Sequence, residues 1–175
     1  MKTLPKISLL ACILFSLAGC AGIGVPAVTP GQSEAEIIST LGAPSARYQE
    51  GDESILAYVR GPWGQQTYMA RVDASKRLKS YEQVLTTQKF ATVKIGATRQ
   101  TDILHTFGTP AETSYLSLSD LTVWTYRYKE NGVWDSMMHV HFDHNGMVRK
   151  MMNGPDTWLE RRDDLVGRNF FNRMR

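Results

Sequence analysis

After Cys20 the 175-residue sequence contains no cysteine. No disulfide can staple the body of the chain, so its stability must come from an apolar core. Long apolar runs are lacking as well. Ile7 to Leu17 falls short of the roughly 20 residues needed to span a bilayer. Charge of one sign is also absent. Lys and Arg number 20 against 17 Asp and Glu, and setting aside Lys2 and Lys6 of the first 19 residues leaves 18 basic. Nothing in that balance points to nucleic acid. The motifs of catalysis are missing too: there is no Gly-x-Ser-x-Gly elbow, no His-Glu-x-x-His pair, no phosphate-binding loop and no cysteine cluster. Gly22-Ile23-Gly24 lacks the third glycine and the preceding strand of a dinucleotide fingerprint. The chain therefore reads as non-enzymatic, with no catalytic residue, no cofactor and no metal ligand set.

What is present begins with an address. Lys2 and Lys6 precede the apolar run, which ends in Leu17-Ala18-Gly19-Cys20. A positive start, a short apolar stretch and small residues are the parts of an export signal. The tetrapeptide resembles the lipobox of bacterial lipoproteins. That resemblance implies a signal peptide over 1–19, lipid attachment at Cys20, and a tether over 20–27. Ala21 after the cysteine implies the outer membrane rather than the inner one. Several acyl chains would hold the protein there stably, at about 0.8 kcal/mol per buried methylene. Cys12 would leave with the signal.

The body of the chain carries one pattern twice. Val28 to Pro44 reads as Gly31, a hydroxyl cap at Ser33, an apolar stripe at Ile37, Ile38 and Leu41, then Gly42 and Pro44 as a stop. Glu36 sits three residues after Ser33, as a capping box requires. Val93 to Pro110 repeats it with Gly96, Thr98, Ile103, Leu104, Phe107, Gly108 and Pro110, with one extra residue between cap and stripe. The spacing predicts a short amphipathic helix in each copy.

Strands follow each helix. Residues 46–49, 55–60, 67–72 and 78–85 are expected in the first copy, and 121–129, 136–142 and 147–151 in the second. Trp124, Tyr126 and Tyr128 share one face, as do Met138, Val140 and Phe142. Asn131-Gly132 and Asn145-Gly146 mark tight turns. The expected architecture is α+β: two tandem repeats, at 28–88 and 89–154, each with helices packed on a small antiparallel sheet. A tail over 155–175 follows. In it Trp158, Leu159, Leu165 and Val166 could form an amphipathic turn or two before Gly167. Its basic and aromatic end, Arg168 to Arg175, suits either packing on the sheet or contact with anionic lipid headgroups or a partner.

Four features invite a chemical reading. His139, His141 and Asp143 fall on one strand face about 7 Å apart in successive steps, yet Met138, Val140 and Phe142 oppose them, so the histidines read as a solvent-side face. Asp143-His144-Asn145-Gly146 reads as a turn, since it lacks the later ligands of a calcium loop. Met137-Met138 and Met151-Met152 read as core filling or as an adaptable surface. His105 reads as a surface or packing residue of the second helix.

The repeated pattern is similar to the BamE/SmpA/OmlA lipoprotein family. It is carried by Gly31, Ser33, Glu36, Leu41-Gly42-Ala43-Pro44, Tyr58 and Val72-Asp73, and again by Gly96, Thr98, Phe107-Gly108-Thr109-Pro110, Trp124, Tyr126, Phe142-Asp143 and Gly146-Met147-Val148. That family's type member has one such unit and is an accessory subunit of the outer-membrane β-barrel assembly machinery. The resemblance implies a lipoprotein on the periplasmic face of the outer membrane, with barrel-assembly subunits or another envelope protein as partner. The tandem arrangement also resembles the β-lactamase inhibitory protein, which implies the alternative of a module that inhibits or regulates a periplasmic enzyme through its sheet aromatics.

Overall fold

The computed structural model describes residues 28–159. They form two antiparallel four-stranded sheets and a few short helices. In the first half, α1 (Glu34–Leu41) precedes β1 (Ala46–Glu50), β2 (Glu53–Arg60), β3 (Gln66–Val72) and β4 (Leu78–Gln83). A single turn, α2 (Thr87–Phe90), links to the second half. There α3 (Gln100–Phe107) precedes β5 (Glu112–Leu116), β6 (Leu121–Glu130), β7 (Trp134–Phe142) and β8 (Val148–Pro155). Each sheet runs in sequence order.

The two halves are built with the same local devices. Ser33 caps α1, its Oγ accepting from the Glu36 N–H at 3.3 Å while the Glu36 carboxylate accepts from the Ser33 N–H at 2.6 Å. Gly42 and Gly108 end the two helices at φ 84 and 82, a region that side chains with a Cβ avoid. The start of each helix is tied to the far hairpin of the sheet that follows it. Glu34 N–H donates to Lys76 O at 3.0 Å, and Gln100 N–H to Gly146 O at 2.8 Å. Asp73 Oδ1 accepts from the Ser75 and Arg77 amides, and Asp143 Oδ1 from those of Asn145 and Met147. Even the bulge recurs, between Arg71 and Val72 in one sheet and between His141 and Phe142 in the other.

One cap differs from expectation. Helix α3 starts after Arg99, whose N–H is held by the Asp102 carboxylate at 2.8 Å. Thr98 instead accepts from the Lys94 N–H at 2.9 Å. The extra residue in this copy moves the helix start one position on and turns the Thr98 hydroxyl back into the preceding turn.

Two apolar clusters hold the fold. Ile37 and Leu41 of α1 share one with Leu56, Tyr58, Ala70 and Val72. Ile103 and Phe107 of α3 share the other with Phe90, Tyr126, Tyr128, Val140 and Phe142, and with Ile55, Ala57 and Met69 from the opposite side of the first sheet. Phe90 stacks on Phe107 with ring centroids 4.6 Å apart and meets Tyr128 edge-on at 5.1 Å. Alternation in β3 therefore does not separate wet from dry residues: Tyr68, Ala70 and Val72 lie on one side and Met69 on the other, and both sides are covered. Strand β5 and helix α2 escape the sequence pattern. The first is short, polar and exposed throughout, and the second is one turn long.

Candidate interaction surface

Strand pairing decides which side chains share the outer face of the second sheet. Val123 pairs with His141, Thr125 with His139 and Arg127 with Met137. Across β7 and β8, His141 faces Lys150 and His139 faces Met152. Both histidines thus lie opposite Val140 and Phe142, as expected. Their surroundings differ from a simple solvent face. The His139 Nδ1 is hydrogen bonded to the Thr125 hydroxyl at 2.9 Å. His141 is only 7% exposed, and neither of its ring nitrogens has a hydrogen-bond partner. Burial, then the charge of Lys150 and the proximity of His139, holds its imidazole below the usual 6.5.

Asp143 does not join them. It follows the end of β7, and its carboxylate serves the Asn145 and Met147 amides and Arg149. Those contacts hold it below the usual carboxylate value, the Met147 amide first. Among the described residues no group of three or more His, Cys, Asp and Glu is placed to share a metal ion. The methionine pairs divide: Met138 and Met151 join the core, while Met137 and Met152 face outward with the histidines. His105 sits against the Tyr48 ring at 5.7 Å, its Nδ1 3.7 Å from a Glu50 oxygen.

The other end of this face is closed by an ion network that sequence reasoning missed. Arg127 Nε donates to the fully buried Asp156 at 2.9 Å, and its Nη2 to Glu112 at 2.6 Å. Asp156 also accepts from the Trp158 and Leu159 amides, and its own N–H donates to Asp135 O at 2.9 Å. Trp158 meets Trp63 edge-on at 4.9 Å. Trp63 adopts φ 66, a left-handed conformation rare for a bulky residue, in the turn between β2 and β3. In the sequence this network shows only through Trp158 and Leu159, which read as part of an amphipathic turn within the 155–175 tail.

Two hairpin tips present apolar side chains outward: Tyr115, Leu116 and Leu118 between β5 and β6, and Val133 and Trp134 between β6 and β7. Tyr126 and Tyr128, by contrast, are buried in the core. A cleft of about 480 Å³ opens between the halves, lined by Gln66, Gln83, Thr87, Lys129 and Asn131 among others. Its amides and hydroxyls suit hydrogen bonding, and no imidazole or carboxylate lines it to move a proton. No helix among the described residues is long and apolar enough to cross a membrane. Cys20, the tether and residues 160–175 lie outside the described residues. No family model, no curated protein and no solved structure matches this chain.

Proposed function

We propose that the chain is a non-enzymatic outer-membrane lipoprotein, anchored through Cys20, whose two units form a protein-interaction module on the periplasmic face. In this reading each unit is a short helix laid on its own sheet, as in the BamE/SmpA/OmlA family, and the module supports β-barrel assembly or envelope integrity. The observation that carries it is the repetition of the same construction in both halves, down to the Asp73 and Asp143 turns and the paired bulges. The lipobox-like Leu17-Ala18-Gly19-Cys20 supports the address. The partners are the outer-membrane lipid and barrel-assembly subunits or another envelope protein.

The test has two parts. Labelled palmitate should enter the protein and be lost in Cys20→Ser. Mild crosslinking of detergent-solubilised envelopes, followed by purification and mass spectrometry, should recover barrel-assembly subunits. Enrichment of one soluble enzyme instead would favour a second reading, an inhibitor or regulator of a periplasmic enzyme. The exposed apolar tips at Leu116–Leu118 and Val133–Trp134 support that alternative, because such protruding side chains suit insertion into a partner's cleft.

A further inference from the structure

The pairing registers set the two sheets side by side, β1 against β5 and β4 against β8. Each sheet has two edge strands, and an edge offers its unpaired backbone groups to any other strand. Three of the four edges are blunted. In β4 and β8 the register skips one residue, Lys79 and Arg149, so each of these edges carries a basic bulge. Strand β8 adds Lys150 and ends in Gly154-Pro155. Strand β1 is held by its neighbours: Arg47 pairs with Glu34 of α1, the Tyr48 hydroxyl bonds that of Thr109, and Glu50 takes Arg71.

Strand β5 has none of these devices. Glu112-Thr113-Ser114-Tyr115-Leu116 contains no Lys, Arg, Pro or Gly. Among the described residues it pairs with β6 alone, in unbroken register. All five side chains are exposed, Tyr115 at 61%. Thr and Tyr favour strands. The single charge, Glu112, is already matched by Arg127.

This edge is complementary to itself. A twofold axis perpendicular to the sheet keeps the faces of two copies aligned, and facing residues must then share a side. Of the registers that satisfy this, only the one centred on Ser114 engages all five residues. It sets Thr113 opposite the partner's Tyr115, a favourable pairing of β-branched and aromatic side chains. Glu112 faces the partner's Leu116. The two Glu112 residues are then about 14 Å apart along the strands, beyond the screening length of about 10 Å at 0.1 M salt. No like charges oppose each other.

We infer that β5 is a homodimerisation edge: two copies join by antiparallel β5–β5 pairing into one continuous sheet, with Ser114 on the twofold axis. A five-residue strand pair is smaller than a standard interface, so the dimer is weak and reversible, with a Kd on the order of 10–100 µM. The inference rests on neither the lipid anchor nor the barrel-assembly reading.

Sedimentation equilibrium of the full chain in excess detergent micelles, over about 1–500 µM, tests it. A monomer–dimer equilibrium is expected. Ser114→Lys places two cations in direct opposition and should weaken the dimer at least about tenfold. Ser114 is exposed, so the urea midpoint of the variant should match the parent's; if it does not, cysteine variants decide. Under mild oxidation Ser114→Cys should form a disulfide-linked dimer at least about tenfold faster than the parent chain does through its own cysteines. Glu112→Cys and Leu116→Cys chains should link to each other and not each to itself. A dimer indifferent to Ser114→Lys, or Glu112→Cys linking to itself as readily as Ser114→Cys, would overturn the inference. So would a chain that stays monomeric throughout the range, which would leave β5 to a strand from a different protein.

Discussion

Arg71 and His141 hold the same place in the two sheets, and what surrounds them is different. The Arg71 guanidinium is used by Glu50 and Glu53, 2.5 and 3.6 Å away, and by the His105 carbonyl. His141 uses neither nitrogen. Around them Ala57, Val59 and Met69 become Thr125, Arg127 and His139. The first sheet is an inner layer with apolar side chains on both faces. The second has one face of that kind and one that mixes Val123, Met137 and Met152 with Thr125, Arg127, His139 and His141. The backbone of the two sheets is closely alike, while the side chains differ with each sheet's surroundings. A face that always meets a built-in neighbour can be apolar.

The two cores should fail unequally. Phe107 is fully buried and touches Phe90 and Tyr126, whereas Leu41 keeps a little exposure in the smaller cluster. Phe107→Ala should cost about 4 kcal/mol and Leu41→Ala about 2–3 kcal/mol, read as shifts in the urea midpoint. Equal losses would mean that the two clusters carry the fold alike.

A subtler pair separates the two halves by sign. Tyr126 and Tyr58 correspond, and both are buried. The Tyr126 hydroxyl donates to Gly108 O at 2.9 Å, but the Tyr58 hydroxyl has no partner. Arg60 instead takes the carbonyl of Leu41, one residue before Gly42, the counterpart of Gly108, at 2.6 Å. Tyr126→Phe should lose about 1 kcal/mol, and Tyr58→Phe should be neutral or stabilising, because an unpaired buried hydroxyl is itself a cost. A loss at Tyr58 in equilibrium unfolding would reveal a hydrogen bond on that side.

The smallest effect is the pH response. His141 has its folded value below 6.5, so its contribution to stability is complete above pH 6.5 and is lost as pH falls through the folded value. Glu50, beside Arg71, is held below 4.5 chiefly by that guanidinium, and its contribution is lost only as pH falls below 4.5. Urea unfolding at about pH 7.5 and about pH 5 should show a decline that His141→Gln reduces. An undiminished decline in the variant would assign it to other groups.

Much of this was readable beforehand, and the misses have physical causes. Ser33 with Glu36 announced a helix start because the capping box is a local device. Thr98 misled because one inserted residue shifts a cap without changing its chemistry. Trp124, Tyr126 and Tyr128 declared their face through alternation. Met69 and Arg71 could not declare theirs, since alternation implies one wet face and the middle of the first sheet is covered on both. Strand β5 lacks apolar alternation, as its residues are exposed on both sides. For the outer face, alternation puts His139 and His141 opposite Val140 and Phe142, as found, but the solvent-side reading fails for His141, which is buried. The network of Arg127, Glu112 and Asp156 was missed because it joins residues distant in sequence that only the sheet register brings together.

Phe90 ties the two halves to one another. It ends the connecting turn α2, and its ring sits among Phe107, Tyr126 and Tyr128. A recombination that cut the halves apart before this residue would leave the upstream half with Ile55, Ala57 and Met69 bared. A cut after it would leave the downstream half with an aromatic-walled hole. With the end of the connector inside the shared core, neither half can be excised cleanly. The chain is then inherited as one piece, and its insertions and losses should concentrate at the hairpin tips and the two ends.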